Sequence, residues 1–145
     1  MNLEKILADH ALWLNGDGGT RANLSDSDLS RADLSGADLS HANLRYADLS
    51  RADLRGSILS HADLSRANLS GADLRGSILS HACLSHADMD HANLGRVNLS
   101  HANLSHACLS HACLSDANLS DACLSHADLL CAGNMREIKT LQIDT

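Results

Sequence analysis

Histidine and cysteine are the side chains of this sequence with the most chemistry to offer, and both keep to fixed slots. Nine of the ten histidines, from His41 to His126, stand two residues after a Leu or, for His91, two after Met89. Four of the five cysteines (Cys83, Cys108, Cys113, Cys123) directly precede a Leu, and Cys131 takes the histidine slot. Imidazole and thiolate are the usual ligands of zinc and related ions, so metal binding is the first chemistry to weigh. Ser, His and Asp also recur together, as in "SHAD", which brings hydrolytic catalysis into question. Which of these groups can meet depends on the element that carries them.

That element is written in the spacing. From Leu24 to Leu129 every fifth residue is Leu, with Met89 the one departure among 22 positions. Two residues before each stands Ala, replaced by Ser27, Ser57, Ser77 and Val97. A fixed internal period implies stacked units, each in contact with its neighbours. A five-residue step circles an α-helix in increments of about 140° and defines no face. On a long strand an odd step sends successive leucines to opposite sides. Three extended residues followed by a two-residue turn satisfy the pattern: Ala and Leu point inward, and the Asp or Asn between them points outward. Four right-angled turns then close a coil of twenty residues, which explains why "RGSILSHA" occupies residues 55–62 and again 75–82. With coils about 4.8 Å apart, about 5.5 of them make a prism roughly 26 Å tall.

The run "ANLSDSDLSRADLSGADLSHANL" and its continuation to about Cys131 resemble the pentapeptide repeat family. The resemblance implies an all-β fold, a right-handed quadrilateral β-helix, and implies that the C-terminal end can mediate a homodimer. It says little about function. The expected organisation is a capping helix and turn over 1–20, the repeat β-helix over 21–132, and a C-terminal tail or cap over 133–145. Leu3, Ile6, Leu7, Ala11 and Leu14 fall at helical spacing before Asn15-Gly16, which predicts a helix over 2–14 covering the first coil. Ile138, Leu141 and Ile143 make the tail a bottom cap, a dimer contact or the stub of a longer protein.

Composition agrees with a leucine-filled solenoid. With one Trp, one Tyr, no Phe and no Pro, the core must come from Leu and Ala. No apolar run approaches the roughly 20 residues of a membrane span, and no secretory signal opens the chain, so no membrane role is expected and the cytoplasm is the expected compartment. An odd set of cysteines there implies reduced thiols. A formal charge of −7 argues against direct nucleic-acid binding.

The twenty-residue rule stacks the candidate groups in columns. One holds His41, His61, His81, His101 and Asp121; another Tyr46, Arg66, His86, His106 and His126; a third Arg31, Arg51, Gly71, His91, His111 and Cys131. The best metal candidates are His91, His111 and Cys131 with Cys113 around the corner, and a second group is His81, His101 and Cys83. A straight ladder approaches an ion from one side only, and no CxxC or HxxxH pair is present, so neither a metal nor any other cofactor is expected. Convex walls repeat "SHAD" without a cleft to exclude water, which argues against catalysis.

Beside metal binding by the histidine and cysteine columns, the third-ranked reading, two readings of the outer surface come first. The resemblance brings one: some pentapeptide repeat proteins mimic DNA and occupy a type II topoisomerase. Mimicry needs a charge about every 1.7 Å, whereas residues 21–80 carry eight acidic and seven basic side chains. The other is a non-enzymatic interaction scaffold for a protein partner. Its address would be Ile58 and Ile78, a stacked apolar pair pointing outward where the motif has Asp or Asn.

Overall fold

The computed structural model describes residues 2–130 and residue 132. The expected C-terminal cap or dimer contact, and Cys131 among the metal candidates, lie outside the described residues. The coil is held by single parallel bridges that join the central residue of each pentapeptide to the one twenty further on, from Asn23↔Asn43 to Cys108↔Asp128. No run of bridges lengthens into a regular strand among the described residues, because two of every five residues turn the chain. Four faces result, centred on residues 23, 28, 33 and 38 of the first coil and on their successors at twenty-residue intervals.

Each face repeats one hydrogen-bond scheme. Leu54 N–H donates to Asp73 O at 2.8 Å, and Asp73 N–H donates back to Ala52 O at 3.0 Å. At each corner a turn closes from residue i to i+3, as where Ala72 N–H donates to Leu69 O at 3.0 Å. The residue at turn position i+2 has positive φ throughout, near 60° from Asp26 to His126, the φ pattern of a type II turn. Inside, the leucine columns are sealed: Leu34, Leu54, Leu74, Leu94 and Leu114 are at most 1% exposed. The paired Ala positions let opposite walls close on them without aromatic rings.

One helix, α1 (Leu3–Asn15), lies against the first coil. It begins and ends one residue later than its spacing predicts. Asn2 Oδ1 accepts from Lys5 N–H at 3.1 Å as its N-cap. At the other end Gly16 is left-handed, with Gly16 N–H on Trp13 O and Asp17 N–H on Leu12 O, the pairing of a Schellman motif. Leu3, Ile6 and Leu7 pack on the leucine core. Gly19 lets the connector pass beside the helix: at φ 70° a Cβ there would stand 2.1 Å from Asp9 O. The described residues include no helix long and apolar enough to cross a membrane.

His10 joins α1 to the solenoid. It is fully buried, and its Nδ1 accepts from Ala22 N–H at 3.1 Å, which leaves the proton of the neutral ring on Nε2. Burial, the largest influence, pushes the His10 imidazole below its ordinary value, aided by Arg21 and His41. Asp38 and the Ser40 carbonyl pull the other way, but Nε2 makes no hydrogen bond. Because folded His10 holds a proton more weakly than unfolded His10, its contribution is intact above pH 6.5 and is lost as the pH falls from there toward the folded pKa. Trp13, the only Trp, stacks on His10 at 5.6 Å between ring centroids and reports the event. Its emission between pH 7.5 and 5 is expected to show an acid transition that is absent from His10→Gln; identical curves would refute the assignment.

Candidate functional site

The histidine slot is the left-handed corner position. Asn, Asp and His enter that region more readily than other side chains, and Gly does so freely. The slot accordingly holds His, Asp and Gly, with Arg and a single Tyr as the costlier occupants. The imidazoles then stack at the strand spacing. His41, His61, His81 and His101 have centroids 4.8 to 4.9 Å apart and planes within 8°. His86, His106 and His126 form a second stack at 4.7 and 4.8 Å. Trp13 meets His41 edge-on at 6.3 Å, so the first column continues into the helix.

The third column departs from this pattern. His91 and His111 are 4.6 Å apart but tilted by 24°. Both turn Nδ1 to one carboxylate oxygen, Asp90 Oδ1, at 2.9 Å from His91 and 3.2 Å from His111. The side-chain hydrogen bond from His91 is the main cause that holds the Asp90 carboxyl below its usual value. Cys113, expected beside this pair, lies on the neighbouring face with its Sγ 3.2 Å from Ser115 Oγ. Sequence reasoning missed Asp90. The signal was present: it is the only acid in a slot otherwise filled by Ser, Arg, Gly or Leu, and it follows Met89, the only non-leucine of its own series.

The outward Asp and Asn side chains have a structural task. Asp28 Oδ1 accepts from Ser30 N–H at 3.0 Å, and the same link to residue i+2 recurs along the coil, an Asx-type brace on each turn. Four cysteines occupy the same position, with Cys83 Sγ 3.4 Å from Ser85 Oγ and Cys123 Sγ 3.3 Å from Ser125 Oγ. Cys83, Cys108 and Cys113 are free thiols. The Ser115 hydrogen bond lowers the pKa of the Cys113 thiol. Cys83 and Cys123 share a face with Asn103 between them, and the group of His81, His101 and Cys83 does not converge within ligand distance.

Isoleucine cannot brace a turn, yet Ile58 and Ile78 stand at two of these positions, bridged to one another. Ile78 is 39% exposed and Ile58 partly so. Beneath them Ser57 and Ser77 are buried, their hydroxyls donating to Leu54 O at 2.7 Å and Leu74 O at 2.6 Å. The adjoining corner is Gly36, Gly56 and Gly76, where an added Cβ would meet nothing within 4 Å. The isoleucines therefore border a bare edge. On the third face two carboxylates are covered: Arg55 grips Asp53 through Nε at 2.8 Å and Nη2 at 2.5 Å, and Arg75 grips Asp73 likewise, while Asp33 accepts from Ser35. The Arg55 hydrogen bonds bring Asp53 down to about 2.

A family model described as pentapeptide repeats matches residues 20–56, 57–96, 82–121 and 92–129, with eight copies. Among solved structures, the pentapeptide repeat protein Rfr23 of the cyanobacterium Cyanothece 51142 is similar over 83% of this chain and 92% of its own, at 28% identity and a TM-score of 0.63. The pentapeptide repeat protein alr5209 of Nostoc PCC 7120 is 35% identical over 70% of this chain and 78% of its own, with a TM-score of 0.59. The plasmid-mediated fluoroquinolone resistance protein QnrB1 is 24% identical over 73% of this chain and 67% of its own; its TM-score of 0.38 carries no argument about function. No curated protein matches the sequence.

Proposed function

The chain belongs to the pentapeptide repeat family, and from that premise we propose that it is a non-enzymatic scaffold whose fourth face docks another protein. Pentapeptide repeat proteins are right-handed quadrilateral β-helices, and we carry that handedness over to this coil. The observation that supports the docking reading is the pair Ile58 and Ile78. At both positions the sequence gives up the brace that Asp or Asn supplies elsewhere and exposes a branched apolar side chain instead. The glycine edge beside them gives a partner backbone room to lie close, and the facing hydroxyls of Ser60 and Ser80, 3.1 Å apart, offer polar contacts at the rim. The partner surface that fits is a protein segment with one or two apolar side chains flanked by hydrogen-bonding groups. Cytoplasmic surroundings suit the free thiols.

DNA mimicry of a topoisomerase ligand has less support. Arg55 and Arg75 neutralise Asp53 and Asp73 on the third face, which takes away charge density that a mimic of the phosphate backbone would need there. The test is affinity capture from a bacterial lysate with the wild type beside the Ile58→Asp, Ile78→Asp double variant. Circular dichroism should be unchanged, since both side chains point outward. A protein retained by the wild type and lost from the variant is the expected result. Identical retention by both would remove the fourth face from consideration, and recovery of topoisomerase subunits would favour mimicry.

A further inference from the structure

The fold gives His91 and His111 a partner that a straight ladder lacks. Asp90 is the residue before the corner, so its carboxylate reaches the imidazole pair from beside the column. Ligand atoms from the three side chains lie within 4.8 Å of one another. The backbone is fixed beneath each of them: Asp90 O accepts from Gly71 N–H at 2.8 Å, and the N–H groups of His91 and His111 donate to Ser110 O and Leu130 O at 2.9 Å. One coil earlier the column carries Gly71, and the Arg51 side chain passes beside it, its Cγ 3.5 Å from where a Cβ would stand.

We propose that Asp90, His91 and His111 form a binding site for one divalent transition-metal ion, zinc in the first instance. Two imidazoles and one carboxylate with open remaining positions are a ligand set for first-row transition metals, and imidazole disfavours magnesium and calcium. Metal–ligand bonds of about 2.0 to 2.2 Å at tetrahedral angles place ligand atoms about 3.3 Å apart. The two Asp90 edges, at 2.9 and 3.2 Å, are already close to that value. The edge between the two rings has to adjust; the pair is set apart by its 24° tilt, and both Nδ1 atoms already turn to Asp90 Oδ1. The other two columns hold their rings within 12° of parallel, and although Asp121 Oδ2 lies 3.9 Å from His101 Nε2, no carboxylate among the described residues there converges with two imidazoles.

Isothermal titration of the full, reduced chain with zinc chloride tests the site, beside Asp90→Ser, His81→Gly and Cys113→Ala. Serine already fills the position of Asp90 in other coils at Ser30, Ser50, Ser70 and Ser110, and glycine is at ease in the left-handed corner of His81, so these variants keep the fold. The expected result is one zinc per chain, weakened at least tenfold by Asp90→Ser and changed less than twofold by the other two substitutions. Magnesium chloride should give no binding. The proposal is overturned if the wild type binds no stoichiometric zinc, if Asp90→Ser weakens binding less than tenfold, or if either control substitution weakens it as much as Asp90→Ser does.

Discussion

Ala72→Arg is expected to abolish cooperative folding, whereas Ser70→Arg, two residues away, leaves the solenoid standing. Ala72 is fully buried, and its wall is tied on both sides: its N–H donates to Leu69 O at 3.0 Å and its carbonyl accepts from Asn93 N–H at 2.9 Å. An arginine there points its guanidinium among leucine columns with no carboxylate to meet. An unpaired buried cation costs several kcal/mol, and overpacking adds about 1 to 3. Together they approach the whole stability of an ordinary domain, about 5 to 15 kcal/mol. Ser70 lies on the outer side of the turn, in a slot that holds Arg45, Arg55 and Arg75 elsewhere. Its replacement gives up the 2.7 Å bond from its hydroxyl to Asn68 Oδ1, worth about 1 kcal/mol. Thermal melts followed by circular dichroism separate the two; an Ala72→Arg protein that melts within about 5 °C of wild type would contradict the inward assignment of the alanines.

Leu74→Ala should lower the melting temperature by roughly 10 °C, at a cost of about 3 to 5 kcal/mol. Leu74 is completely buried, and Leu54 and Leu94 continue its column on either side. The walls around the vacated volume cannot easily collapse into it, because bridges to the coils before and after hold them at the strand spacing. Stability in a stacked-repeat fold is close to a sum over neighbouring coils, so a defect in the middle weakens the coupling of both halves. Leu119→Ala is the matched comparison. That side chain is 3% exposed and lies next to the partly buried Leu124, so its removal should cost visibly less. Equal losses at the two positions would show that the columns do not behave as nearest-neighbour stacks.

The coil, its four faces and its columns were legible in the sequence because they depend only on polarity repeated at a fixed step. Leucine every fifth residue admits one chain path that buries all of it, and that path stacks residue i on i+20 whatever the side chains are. The helix over the first coil was legible on the same grounds, from the spacing of Leu3, Ile6 and Leu7. So was the outward pair Ile58 and Ile78, from their place in the motif. What the side chains do on that frame was decided largely by short-range hydrogen bonds at the turns. Left-handed φ at the corners follows from turn closure and explains why histidine is there, something the count of histidines suggested was chemistry. The cysteines stand at the positions where Asp and Asn brace the turn N–H, and their thiols meet the hydroxyl of the serine two residues on, whereas their number had brought metal ligation into question. Asp90 joined His91 and His111 only in three dimensions. The period identifies which residues share a column, but a ligand set also depends on the direction of each side chain, which rotamers and the neighbouring coils fix and spacing does not.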